Sequence, residues 1–146
     1  MLFRLLLFIS LLTIPHPDWL TDIHKAETVA KKENKLILLN FSGSDWCGPC
    51  IRLHKEFFDG EAVNQFAAGH LILLNADFPR SKKNQLSKEQ QGKNNELADT
   101  YNKTGIFPLT VLLNSEGRVL KTWEGYPSES ILEFINEINS VPDAHQ

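Results

Sequence analysis

Cysteine is scarce in this chain: among 146 residues there are two, Cys47 and Cys50, three positions apart. A structural zinc site ordinarily takes four ligands, and no second C-x-x-C pair exists to complete one. No cysteine lies near the N-terminus to carry a lipid. Basic charge is not in excess either. With 15 Lys and Arg against 18 Asp and Glu, and lysines scattered or confined to one polar stretch, no surface for nucleic acid is evident. No apolar run reaches the ~20 residues of a comfortable membrane span, and no internal repeat is visible. What remains is a length and a hydrophobic share, 42%, that suit one globular domain with an ordinary core.

Residues 2–14 are almost wholly apolar, with Arg4 near their start and the helix-breaking Pro15-His16-Pro17 behind them. That pattern reads as a secretory signal peptide. No small-x-small cleavage site follows cleanly, so residues 1–16 are expected to be a signal peptide or an uncleaved N-terminal anchor, with a buried strand as a further reading. Residues 17–146 then form the folded domain. Export places the protein in the periplasm or outside the cell, where a disulfide persists unless an electron donor reduces it.

The two cysteines stand in Trp46-Cys47-Gly48-Pro49-Cys50, directly after an apolar run. A cysteine at the first turn of a helix faces unpaired backbone N–H groups and the positive end of the helix dipole, which favour thiolate over thiol. Cys47 is therefore the expected nucleophile. Cys50 follows about one turn later, near enough to close a small ring and expel whatever Cys47 has bound. Gly48-Pro49 can open a helix without breaking it, since the first turn has no acceptor for the missing proline N–H. Other readings compete. His54, four residues after Cys50, could join both sulfurs around copper or zinc in a metal chaperone. A purely structural disulfide across so short a loop would remove little unfolded-state entropy. The reactive dithiol needs no cofactor beyond itself.

Along the chain, Trp19, Ile23, Ala26 and Ala30 fall at helical spacing and predict a first helix of about four turns. Residues 36–41 and 71–77 are short apolar runs with the signature of buried strands. Between them, helix is expected from Pro49 to Phe58 and again around Val63, Phe66 and Ala67, so the two strands should pair parallel through a right-handed crossover. Residues 80–93, lysine-rich with Leu86 alone apolar, read as a solvated loop or exposed helix, and Leu97, Ala98 and Tyr101 as a short helix. Residues 109–113 and 118–123 flank so short a turn that they must be antiparallel. Ser128 is the expected cap of a last helix with Ile131, Leu132, Ile135 and Ile138 as its stripe. The result is an α/β domain, a central mixed sheet flanked by helices on both faces. Its polar surface offers no clear oligomer interface, and a monomer is expected.

With these residues in place the chain resembles the thioredoxin superfamily. Trp46-Cys47-Gly48-Pro49-Cys50 matches the family motif letter for letter, Gly105-Ile106-Phe107-Pro108 resembles its cis-proline hallmark, and Glu124-Gly125 follows its last-strand pattern. Phe41-Ser42-Gly43-Ser44-Asp45 and Asp77-Phe78-Pro79-Arg80, with the lysine-rich insertion, look more like the exported bacterial thiol:disulfide interchange branch than cytosolic thioredoxin. The resemblance implies the thioredoxin fold and a thiol:disulfide oxidoreductase with Cys47 and Cys50 as its catalytic redox disulfide. It further implies Trp46, Gly48, Pro49, Phe107 and Pro108 as the substrate-binding surface, with the Phe107 backbone pairing to an extended substrate. Partners would be protein disulfides or dithiols. Gly48-Pro49 resembles the reducing members, implying a reductase fed by a membrane electron donor. A thioredoxin-fold binding module without turnover is the alternative. The chain departs from the family at two positions: Asn40 stands where thioredoxins carry a buried acid, and Leu73 or Leu74 where they carry a lysine. An amide accepts no proton near neutral pH, so Cys50 must lose its proton to water or to another carboxylate such as Glu56.

Overall fold

The computed structural model describes residues 16–142. In chain order the elements are β1 (Trp19–Leu20), α1 (Ile23–Glu33), β2 (Leu36–Ser42), α2 (Gly48–Leu53), a π turn over His54–Phe58, and α3 (Glu61–His70). They continue with β3 (Leu71–Asp77), a 3-10 turn over Lys82–Asn84, α4 (Lys88–Tyr101), β4 (Leu109–Leu113), β5 (Val119–Glu124) and α5 (Ile131–Asn139). The five strands form one sheet in the order β1-β3-β2-β4-β5. β2 is buried at every position and lies parallel to β3 in register from Leu36 against Leu71 to Ser42 against Asp77. β1 joins parallel on the far side of β3, whereas β4 and β5 are antiparallel.

Alternation along the strands sends side chains to two cores, one on each face of the sheet. Leu36, Leu38, Leu73 and Leu112 pack against Leu53, Phe57 and Phe58 of the α2 region and against Phe134 and Ile138 of α5. Ile37, Leu39, Phe41, Leu74 and Val111 pack on the opposite face against Ala26 and Ala30 of α1 and Leu97 of α4. The sheet is thus mixed and covered by helices on both faces, as its sequence pattern implies. Parallel β2 and β3 end where antiparallel β4 begins, so the loops carrying Cys47, Phe78 and Pro108 converge on one end of the sheet.

Three local expectations are corrected. Trp19 is not helical: it pairs with Leu73 in β1, and its ring packs on His54 and Phe58. The helix begins after Asp22, whose carboxylate accepts the backbone N–H groups of His24 at 2.9 Å and Lys25 at 3.2 Å. Ser130 caps α5 in place of Ser128, in a reciprocal box with Glu133. Finally, Leu97, Ala98 and Tyr101 belong to the 14-residue α4, which Ser87 caps and which takes in the polar residues before them. Amides and an ion pair fasten it: Asn94 Nδ2 donates to the Asp77 carbonyl, Gln90 Nε2 to the Thr21 carbonyl, and Lys93 Nζ meets Asp22 at 2.9 Å. The segment read as a signal peptide or anchor lies outside the described residues except for His16. Among the described residues no helix is long and apolar enough to cross a membrane.

Candidate active site

Cys47 is the last residue before α2, with extended backbone (φ −94°, ψ 100°), and its carbonyl accepts the first helical bond, from Ile51 N–H at 3.0 Å. Its sulfur lies 3.3 Å from the Cys50 backbone nitrogen and accepts that N–H. The Cα atoms are 5.2 Å apart and the sulfurs are bonded, so this is the oxidised form of the pair. Pro49 occupies the first turn, where its missing N–H leaves no bond unmade. Cys50 is fully buried, while Cys47 retains 5% exposure between the exposed Gly48 and half-buried Trp46. Cys47 is therefore the sulfur that an incoming group can reach.

Trp46 is held by three neighbours. Its indole N–H donates to the Phe78 carbonyl at 2.7 Å, its ring meets Phe107 edge-on at 5.5 Å, and the Arg80 guanidinium lies 3.6 Å above it. Gly43 makes room for the ring, because a Cβ there would stand 2.3 Å from the indole. Phe107 also packs on Phe78, and the Phe107–Pro108 peptide bond is cis. The Pro108 carbonyl accepts the N–H of Gly125 at 2.8 Å, and Gly125 has a φ of 74°, which glycine adopts freely. Trp46, Gly48 and Pro49 thus adjoin the two cysteines in the chain, and Phe107, with Pro108 next to it, reaches this end of the sheet through its ring contact with Trp46.

Gly43, Asp45, Asp77 and Arg80 were not singled out from the sequence as site residues, yet they build the rim. Asp45 accepts the backbone N–H groups of Arg80 and Ser81, each at 2.9 Å, and the Asn84 side chain at 3.0 Å. These bonds, that of the Arg80 N–H foremost, lower its pKa. Asp77 accepts the N–H and the hydroxyl of Ser44. The one available signal was the pair of Asp residues, each next to a glycine- or proline-containing turn where a carboxylate can take backbone donors.

A polar row crosses the sheet below His54, with Asn75, Asn40 and Thr110 in register on β3, β2 and β4. Asn40 is fully buried; its amide nitrogen faces the Leu109 carbonyl at 3.4 Å and Thr110 Oγ1 at 3.1 Å. Its oxygen therefore faces His54 Nε2, at 3.2 Å, and this network assigns the proton to Nε2. Asn75 Oδ1 is buried without a partner among the described residues. His54 lies one helical turn beyond Cys50, where i and i+4 side chains share a face. It is half-buried between the Trp19 and Phe58 rings, and burial pushes its pKa down, against smaller opposing contributions from Asp59 and Asp77. Glu56, the carboxylate suggested for the Cys50 proton, points elsewhere: it accepts the Tyr126 hydroxyl and pairs with Arg52 at 3.6 Å. With His54 turned to Asn40, no group of three His, Cys, Asp or Glu among the described residues is gathered for a metal ion.

The sequence matches the thioredoxin-like domain family over residues 23–139. It is similar to the disulfide bond reductase DsbH of Chlamydia pneumoniae, with 40% identity over 112 residues, 77% of this chain and 65% of that one. It is also similar to the thioredoxin-related protein DsbJ of the same organism, with 27% identity over 100 residues, 68% of this chain and 28% of that one. The chain therefore spans a little under two thirds of the length of the first relative and under a third of the second. A solved structure of a DsbH oxidoreductase superposes with a TM-score of 0.78 at 28% identity, covering 94% of this chain and 92% of that one. A family match from the first turn of α1 to the end of α5, on a sheet that carries the two-cysteine helix start at its expected end, makes this chain a member of the thioredoxin-like domain family.

Proposed function

We propose that this chain is a thiol:disulfide oxidoreductase of the cell envelope that reduces protein disulfides with Cys47 and Cys50. The observation that carries this reading is the Cys47 sulfur itself: it caps the start of α2, accepts the Cys50 N–H, and lies within bonding distance of the Cys50 sulfur. In the reduced protein the same N–H favours the Cys47 thiolate. That thiolate attacks one sulfur of a substrate disulfide, and the other sulfur leaves as a thiol after taking a proton. Cys50 then loses its proton and attacks Cys47 in the mixed disulfide, releasing the second substrate thiol. The pair ends oxidised and the substrate has gained two electrons and two protons. A donor dithiol must then reduce the pair again, which suits an electron donor in the membrane.

The group proposed to take the Cys50 proton is His54, half-buried and one helical turn further on. With Nε2–H given to Asn40, the unprotonated Nδ1 of neutral His54 is the atom able to accept it. Trp46, Gly48, Pro49, Phe107 and Pro108 form the surface on which an extended substrate segment lies, the Phe107 backbone pairing with it. The reducing direction is supported by Gly48-Pro49 and by the name of DsbH, a disulfide bond reductase. Action in the periplasm accords with the apolar N-terminal segment and with the Dsb names of the relatives, and action as a monomer with the polar surface that the sequence pattern implies.

The experiment is a trap. A Cys50→Ser protein should hold substrates as mixed disulfides through Cys47, separable on a non-reducing gel and released by dithiothreitol, while Cys47→Ser traps none. Full biological activity of Cys47→Ser would instead establish the binding-module reading.

A further inference from the structure

The loop after β3 brings positive charge to the rim of the dithiol site. Asp45 draws the backbone of Arg80 and Ser81 and the side chain of Asn84 onto the active-site loop, and the Trp46 indole N–H fixes the Phe78 carbonyl. This fastening lays the Arg80 guanidinium 3.6 Å over Trp46, the residue next to Cys47, whose ring continues to Phe107 beside Pro108. Lys82 and Lys83 follow on the adjoining 3-10 turn. All three cations are exposed, and among the described residues no carboxylate pairs with any of them. Two acids that fasten this loop are occupied: Asp45 with its three donors and Asp77 with Ser44 and the Phe78 N–H.

The opposite side of the site is different. Beyond Pro49 lie Ile51, 47% exposed, and Arg52, whose charge is met by Glu56 and whose guanidinium stacks on Tyr126. The α2 side of the site is thus neutralised and the Arg80 side cationic, with the exposed Glu124 lying on β5 beyond Pro108. That polarity runs against the net charge of −3 on the whole chain. A guanidinium whose carbon rests 3.6 Å from an indole centroid is positioned by that contact before any ligand arrives, and its N–H donors suit a carboxylate.

Resting on the oxidoreductase reading, we infer that this rim selects protein disulfides whose cysteine is flanked by acidic residues, with Arg80 as the specificity-determining side chain. An acidic residue beside the attacked cysteine meets Arg80 as the segment settles across Trp46 and Phe107. Lys82 and Lys83 add steering at longer range. A basic residue at the same place is disfavoured by like charge.

The test uses pre-reduced protein in a single turnover, so that no electron donor is needed. Three disulfide-linked peptides are compared, identical but for Glu, Gln or Lys on either side of one cysteine. The expected order of second-order rate constants is Glu, Gln, Lys, with Glu about fivefold faster than Lys at low salt, the size expected of an exposed charge pair. At about 1 M salt, where the Debye length is about 3 Å, the rates should converge. Arg80→Gln should flatten the ratio and Arg80→Lys should keep most of it. Equal reduction of the three peptides by the parent, or a ratio that Arg80→Gln leaves unchanged, overturns this inference alone. Reduction of none of them overturns the oxidoreductase reading and this inference with it.

Discussion

Cys47 and Cys50 differ in what surrounds them more than in chemistry. Cys47 has a backbone N–H and an opening to solvent, while Cys50 is fully buried one helical turn before His54, which meets the Asn40 floor. An Asn40→Asp variant tests that floor. The new carboxylate, facing His54, should raise the rate of disulfide reduction at pH 7 a few-fold. It should also cost about 2 kcal/mol of stability, since a buried carboxylate would face the Leu109 carbonyl that the amide nitrogen now satisfies. A variant that reduces disulfides no faster than the parent counts against proton transfer as a limit on Cys50. His54 gives a second test. Burial lowers its pKa, so the folded protein holds it neutral where the unfolded chain, with a value of about 6.5, begins to protonate. The unfolded state then binds more protons, and this contribution is intact above about pH 6.5 and lost as pH falls through the lower native value. His54→Gln should therefore flatten the fall in Tm between about pH 7 and pH 5. It should also slow resolution of the mixed disulfide at pH 7 by about tenfold or more, which loss of packing alone does not explain.

At the scale of elements, the apolar runs of β2 and β3 were legible because strands buried on both faces carry consecutive Leu, Ile and Phe. The antiparallel β4 and β5 were legible from the short turn between them. Element edges were less so. Trp19 keeps helical spacing with Ile23, but spacing cannot show that the edge of β3 stands open to pair with it. The α5 start was recoverable: Ser130 has a Glu three positions later and Ser128 does not. Ser130→Ala should remove the box with Glu133, cost about 1 kcal/mol and lower Tm by a few degrees in thermal unfolding followed by circular dichroism. An unchanged Tm would mean that α5 is held by its apolar stripe alone. The 14 residues of α4 escaped reading as one helix because amides and Lys93 fasten its first half, where periodicity looks for apolar residues.

For the whole molecule, the dithiol was plain in the sequence because the five residues that make it are contiguous. The floor and rim were not, because they are assembled from residues far apart: His54 meets Asn40 across 14 positions, and Asp45 meets Arg80 across 35. The fold brings them together by ending β2 and β3 and beginning β4 at one edge. The measurement that tests the central claim most directly is the redox potential of the Cys47–Cys50 pair. It is read by mass after alkylation across a series of glutathione or dithiothreitol buffers. A reductase should give a value near that of thioredoxin, about −270 mV. A value near about −120 mV, where strong oxidants lie, or a failure of the two sulfurs to form their bond, contradicts it.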